Sequence, residues 1–158
     1  MRPDPDTVRG WLGEVPDPEI PAISVVDLGI VRDVGWEEDT LVVDVTPTYA
    51  GCPATLVIAL DIETALRDRG IDKVEVRRRM SPPWSTDWIT DEACEQLRSY
   101  GIAPPERRYA SGVAGNSVAC PFCASEETRL QSEFGSTLCK ALHVCNDCRQ
   151  PFERFKCI

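Results

Sequence analysis

Histidine is almost missing from this 158-residue sequence. His143 is the only one, so catalysis built on a histidine acid–base pair has little material. No serine–histidine pairing and no phosphate loop appears. Positive charge is also scarce. Lys and Arg number 17 against 26 Asp and Glu, giving a formal net charge of −9, and that field repels phosphate backbones. Nucleic acid is therefore not an expected partner. Arg77-Arg78-Arg79 is the one dense basic run, and as a strand it would split its charges between two faces. No apolar run approaches the roughly 20 residues that span a bilayer. The first six residues lack the apolar core of a secretion signal. These absences lead to the expectation of a cytoplasmic protein without a membrane partner.

Cysteine, by contrast, is plentiful, and its placement is uneven. Six of the eight cysteines lie after residue 119. In a reducing compartment such thiols point to metal binding or reactivity more than to disulfides. Cys120-Pro121-Phe122-Cys123 and Cys145-Asn146-Asp147-Cys148 are two Cys-x-x-Cys pairs. Each spacing lets two sulfurs of one tight turn reach the same ion, and two such turns complete a tetrahedron. The segment between them suits a short strand excursion and return. The expected site is one closed, structural Zn2+ ion in a ribbon fold. If a hairpin over 140–156 is centred between Cys145 and Cys148, Cys139 falls opposite about Arg154 and Cys157 opposite about Ser136. That register places the two thiols roughly 10 Å apart, too far for a disulfide. Cys139 and Cys157 are then candidates to replace a ligand or bind a second metal, with plain packing as the alternative. An iron–sulfur cluster is a further use of such thiolates. His143 is expected as a partly exposed strand residue.

Upstream, the pattern is α+β. Asp4-Pro5 reads as an N-cap followed by a first-turn proline, with Val8, Trp11, Leu12 and Val15 on one face of a helix ending at Pro16. Residues 30–36 and 41–46 read as a hairpin around Glu37-Glu38-Asp39. Residues 54–69 form a helix with Ile58, Ala59, Ile62, Ala65 and Leu66 as its buried stripe, closed by Gly70. Residues 74–79 are a third strand. Thr90 caps a helix that starts with Asp91 and Glu92 and stops at Gly101. Pro104-Pro105, Gly112 and Gly115 mark a linker. The organisation expected is an α/β domain over 1–102 with a three-stranded sheet core, a linker over 103–119 and a zinc ribbon over 120–158.

One thiol stands apart. Cys52 precedes Pro53, and with Pro53 as the first helical residue Cys52 would be the N-cap, where free backbone donors and the helix dipole favour a thiolate. The alternative is a capping or buried thiol without chemistry. Cys94 sits mid-helix and reads as structural. Asp17, Glu19 and Asp27 are the suggestive carboxylates, each of which also suits a loop cap.

Asp17-Pro18-Glu19-Ile20-Pro21, residues 24–31 (SVVDLGIV) and Thr48-x-x-Gly51-Cys52-Pro53 together resemble the SufT-like family of small α/β proteins of iron–sulfur cluster assembly. The resemblance covers about residues 5–80. It implies that Cys52 is the functional thiol and that Asp17 and Glu19 belong to the family's acidic motif. Residues 82–88 (PPWSTDW), 132–142 and Phe155-Lys156-Cys157 are similar to PaaD-type proteins, which couple such a domain to a C-terminal zinc ribbon. That resemblance implies an accessory or maturation component of the multicomponent phenylacetyl-CoA epoxidase, not catalytic alone. The implied partners are the oxygenase and reductase subunits and iron–sulfur assembly proteins, with a transient iron–sulfur cluster beside the zinc. A non-catalytic structural subunit of the epoxidase is the rival expectation, and a homo-oligomer is compatible with either.

Overall fold

The computed structural model describes residues 2–105 and 118–156. It divides into two compact units, residues 1–84 and 85–158.

The first unit opens with helix α1, Pro5–Leu12, whose N-cap Asp4 accepts the Thr7 N–H, with proline in the first turn as the sequence suggests. The helix stops at Leu12, before Pro16, because Gly13 turns its N–H back to Arg9 and Gly10. Strands β1 (Val31–Glu37) and β2 (Thr40–Val45) pair antiparallel around a two-residue turn in which Glu38 takes φ 50°. Strand β3 (Val74–Arg78) runs parallel to β2, so β2 is the central strand. A parallel pair needs a long crossover, and helix α2, Ala54–Asp68, lies within it. Ala54, Ile58, Ile62 and Leu66 are the buried face of α2. Each fully buried aliphatic side chain of this kind contributes roughly 1.5–3 kcal/mol relative to exposure. The helix ends in a Schellman motif: Ile71 N–H reaches Leu66 O, Gly70 N–H reaches Arg67 O, and Gly70 takes φ +88°. Trp84 is buried and donates its indole N–H to Leu28 O at 3.0 Å, tying the end of the unit to the 24–31 segment.

The second unit contains helix α3, Asp91–Ser99, capped by the Thr90 hydroxyl on Ala93 N–H with Asp91 and Glu92 in its first turn. Its four-stranded sheet has the order β4 (Ile102–Ala103), β7 (Pro151–Phe155), β6 (Lys140–Cys145), β5 (Thr128–Ser132). β4 runs parallel to β7, and the other pairs are antiparallel. Residues 102–103, placed by sequence at the junction of domain and linker, are thus a strand of the ribbon sheet. Most of the expected linker, residues 106–117, lies outside the described residues, as does Cys157.

Lys140 is buried on this sheet at 4% side-chain exposure, and the Glu153 carboxylate lies 3.5 Å from its ammonium. Glu153 also accepts the Ser136 N–H at 2.8 Å and the Ser136 hydroxyl. Gly135 leaves room beside them, since a Cβ there would push the Glu153 carboxylate aside. Burial pushes the Glu153 carboxyl upward, but the Ser136 donors and Lys140 outweigh it and hold it below the ordinary glutamate value. Its contribution to stability is therefore present above the unfolded carboxylate range and is lost as pH falls through the lower folded value. Glu153→Gln should destabilise the second unit by about 1–3 kcal/mol at neutral pH, because Lys140 stays buried without its countercharge. Urea unfolding of the metal-loaded protein at neutral pH measures this, and an unchanged midpoint would contradict it.

Candidate metal centre and the remaining thiols

Two chain reversals build the site. The first runs Cys120-Pro121-Phe122-Cys123-Ala124-Ser125 and the second Cys145-Asn146-Asp147-Cys148-Arg149-Gln150. They are alike in detail. Cys120 N–H donates to Ser125 O at 2.8 Å, and Cys145 N–H donates to Gln150 O at 3.1 Å. The residue after the second cysteine is left-handed in both, Ala124 at φ 63° and Arg149 at φ 62°. That twist aims the next N–H back at sulfur: Ser125 N–H at Cys123, Gln150 N–H at Cys148. Residue type does not announce these left-handed positions, since neither is glycine or asparagine.

The four sulfurs all lie within 4.8 Å of one another. Cys120 Sγ and Cys148 Sγ are 3.7 Å apart, and Cys123 Sγ and Cys145 Sγ are 3.6 Å apart. A tetrahedron with metal–sulfur bonds of about 2.3 Å has edges of about 3.8 Å, close to these two separations, so the four sulfurs suit a zinc ion. The N–H groups of Cys148 and Asp147 hold the Cys145 thiol down at about 7, while burial and the neighbouring sulfurs push Cys123 and Cys148 up, so Cys145 gives up its proton first and the remaining protons leave as a metal binds. Cys120 and Cys145 are buried and Cys148 is half-buried, while Cys123 is exposed. All four positions of a tetrahedral ion are filled by protein sulfur, which is the pattern of a structural site. Among the described residues this is the one group of three or more Cys, His, Asp or Glu side chains with such geometry.

Cys139 is not part of it. It precedes β6, whereas Cys145 ends that strand, roughly 20 Å away at 3.3 Å per residue. Its buried thiol contacts the Thr137 hydroxyl at 3.0 Å. The hairpin register also differs from the expected one. Lys140 pairs with Phe155, and Lys156 N–H donates to Cys139 O, so Cys139 faces Lys156 and not Arg154. His143 is buried at 3% exposure, not partly exposed, and stacks on Phe152 at 5.6 Å. Burial and the nearby Arg154 charge hold its pKa below the ordinary value.

In the first unit, Cys52 is half-buried and one residue further from α2 than expected. Pro53 itself occupies the N-cap, already helical at φ −66°, ψ −25° and without a side-chain cap bond. Cys52 N–H donates to Tyr49 O, and Cys52 O accepts the Thr55 N–H, after a left-handed Gly51 at φ +77°. Asp17 is 4% exposed, and its Oδ1 accepts the N–H groups of Glu19 and Ile20, both at 2.9 Å. Those two bonds cap the 17–20 turn. Glu19 is half-buried in the same turn. Asp27 N–H donates to the Ser24 hydroxyl. Cys94 is half-buried on α3.

Comparison with known proteins agrees with this division. A family model described as an iron-sulfur cluster assembly protein matches residues 5–77, and one described as a PaaD zinc beta ribbon domain matches residues 105–156. The chain is 46% identical over 156 residues to a protein of Escherichia coli (strain K12) named a putative 1,2-phenylacetyl-CoA epoxidase subunit, covering 99% of this chain and 94% of that one. It is 36% identical over 84 residues to an Fe-S protein maturation auxiliary factor of Bacillus subtilis (strain 168), covering 52% of this chain and 81% of that protein. The crystal structure of a DUF59 domain of unknown function from Bacillus anthracis matches with a TM-score of 0.53 at 30% identity, over 58% of this chain and 89% of that chain. A conserved hypothetical protein from Thermotoga maritima matches with a TM-score of 0.51 at 30% identity, over 61% and 95%.

Removing two ligands, one from each turn, should abolish the site. The Cys120→Ser/Cys145→Ser protein should lose its zinc, about one ion per chain in the parent. Amide protection in β5, β6 and β7 should fall to that of an unfolded chain. Metal analysis with hydrogen exchange reads both, and full protection without metal would refute the assignment.

Proposed function

Because the chain belongs to the PaaD-type family, in which an iron–sulfur cluster assembly domain precedes a zinc β-ribbon, we propose that it is an accessory or maturation component of the multicomponent phenylacetyl-CoA epoxidase. The end-to-end similarity to a protein named for that enzyme carries this reading. The first unit's similarity to an iron–sulfur maturation factor gives the assistance its character. The protein would help to deliver or assemble an iron–sulfur or iron centre in the oxygenase or reductase subunits, in concert with iron–sulfur assembly proteins.

Cys52 is the thiol proposed to touch the transient cluster or its iron. It is outside any group of metal-ligand type among the described residues, so it is not committed to a structural ion. The helix it precedes exposes Leu56 at 76% and Leu60 at 63%, one turn apart on one face. An apolar stripe left in water beside a thiol suits a transient protein contact. Asp17 serves this site by fixing the 17–20 turn, and Glu19 by shaping the surface there. The ribbon, with its metal enclosed, would act as the docking module. No helix of the described residues is long and apolar enough to cross a membrane, which agrees with work in the cytoplasm beside a metabolic enzyme.

A second reading makes the chain a lasting, non-catalytic subunit that holds other chains together. The Escherichia coli relative's name, which calls that protein a subunit, favours it. Co-purification separates the two, because a lasting subunit stays stoichiometric in the active complex and a maturation factor does not.

Cys52→Ala should reduce epoxidase activity in cells grown on phenylacetate to that of a strain lacking the protein. Its own zinc content should stay unchanged. Full activity with Cys52→Ala would exclude the thiol role.

A further inference from the structure

The ribbon sheet carries a concavity that neither the metal nor the proposed maturation role uses. It measures about 610 Å³, within the usual range of about 300–1,000 Å³ for small-ligand sites. Three strands form it. The registers place Leu130 against His143 and Ala141 against Arg154, so these side chains share one face. Arg129, Arg154 and Lys156 supply three positive charges, and Glu133 supplies one negative charge. With His143 neutral the described lining carries a net charge of +2, in a chain whose total is −9.

Among the described residues these cations form no ion pair with a carboxylate. Neither Arg129 nor Arg154 has an ion pair among the described residues, and Lys156 rests its ammonium 4.2 Å over the Phe134 ring. By contrast Arg2, Arg67, Arg69, Arg77, Arg79, Arg98 and Lys140 all pair with carboxylates. Two polar nitrogens of the lining, His143 Nδ1 and Arg154 Nε, are buried and find no hydrogen-bond partner. Buried donors and acceptors are ordinarily satisfied, so such a pair marks a place where a partner belongs.

We propose that this concavity binds a compact phosphate dianion, carried as a phosphomonoester on a small organic molecule. Two guanidinium groups and an ammonium match a dianion in charge, and guanidinium forks match its oxygens in geometry. Leu130, Ala141 and the stacked His143 ring give an apolar bed for the organic part. Nucleic acid fits less well, because the acidic remainder of the chain repels an extended polyanion. The site is independent of the role of Cys52.

Calorimetric titration of the zinc-loaded full-length chain with AMP tests this. Inorganic phosphate and adenosine are the companion probes. AMP should bind at one site per chain, weaken with salt, and bind at least about tenfold more weakly to Arg129→Gln/Arg154→Gln, a loss of about 1.4 kcal/mol. Adenosine should not bind. Equal affinity for inorganic phosphate would keep the anion site and assign it to free phosphate. Arg98→Gln, on α3, should leave binding unchanged. Zinc content certifies that each variant is folded, and Lys156→Gln, which alters no strand pairing, should weaken AMP on its own. Absence of both AMP and phosphate binding at millimolar concentration would overturn the proposal. So would wild-type affinity in a zinc-loaded Arg129→Gln/Arg154→Gln protein, or binding of a glutamate-rich peptide in place of AMP.

Discussion

Four sulfurs held at the corners of one small tetrahedron are the constraint on which the metal-binding end of the second unit depends. The apolar cluster around them is slight: Ala103, Val118, Cys120, Cys145 and Phe152, with Cys148 packed alongside. Two of its five members are themselves metal ligands, and only Phe152 is large. Burial of such a cluster is worth a few kcal/mol at about 25 cal/mol per Å², whereas zinc binding to thiolate sites in small domains is worth roughly 10–16 kcal/mol at neutral pH. The larger quantity sets the structure. The metal also explains why two left-handed non-glycine residues, Ala124 and Arg149, are tolerated at equivalent places. Each costs backbone strain, and each returns an N–H to a ligating sulfur.

The first unit rests on a different force and is free for different chemistry. Its stability comes from apolar burial: Val8 and Leu12 of α1, Leu41, Val43 and Val45 of β2, and Ile58, Ile62 and Leu66 of α2 are all within a few per cent of full burial. A cysteine in such a unit is available in a way that ligating cysteines are not. Division of labour between a closed ribbon and a thiol-bearing α/β unit thus follows from which unit depends on metal.

Much of the fold is legible in the sequence where a local signal acts alone. The caps of α1 and α3, the closing Gly70 and the paired Cys-x-x-Cys turns each depend on a few neighbouring residues, and each is found at its expected place. Legibility fails where a single residue of offset matters. The 140–156 hairpin turns about a point one residue later than expected, because Arg149 adds a left-handed step before Gln150 closes the turn on Cys145. That step shifts each facing residue by two and puts Lys156 opposite Cys139. The same kind of offset moves the α2 cap from Cys52 to Pro53, since a proline suits the N-cap backbone as well as the first turn. His143 escapes a local reading because its burial comes from Phe152 on a neighbouring strand. Strand β4 pairs with a segment about fifty residues away, which two residues of sequence cannot announce.

Composition misleads in one respect, and strand alternation explains why. A charge of −9 describes the whole chain, but β7 sorts its charges by face. Glu153 turns to one side, where Lys140 and the Ser136 donors satisfy it. Arg154 and Lys156 turn to the other, where one carboxylate, Glu133, meets them, and Arg129 also lines this concavity from the edge strand β5. The two faces are separated by one backbone thickness, yet one is neutralised and the other is not. Screening at physiological salt reaches about 8 Å, so a small anion in the concavity senses the local +2 before it senses the distant acidic surface. An extended polyanion has no such shelter. The net charge that argues against nucleic acid therefore leaves room for a small phosphate, and the two conclusions rest on the same electrostatics applied at different lengths.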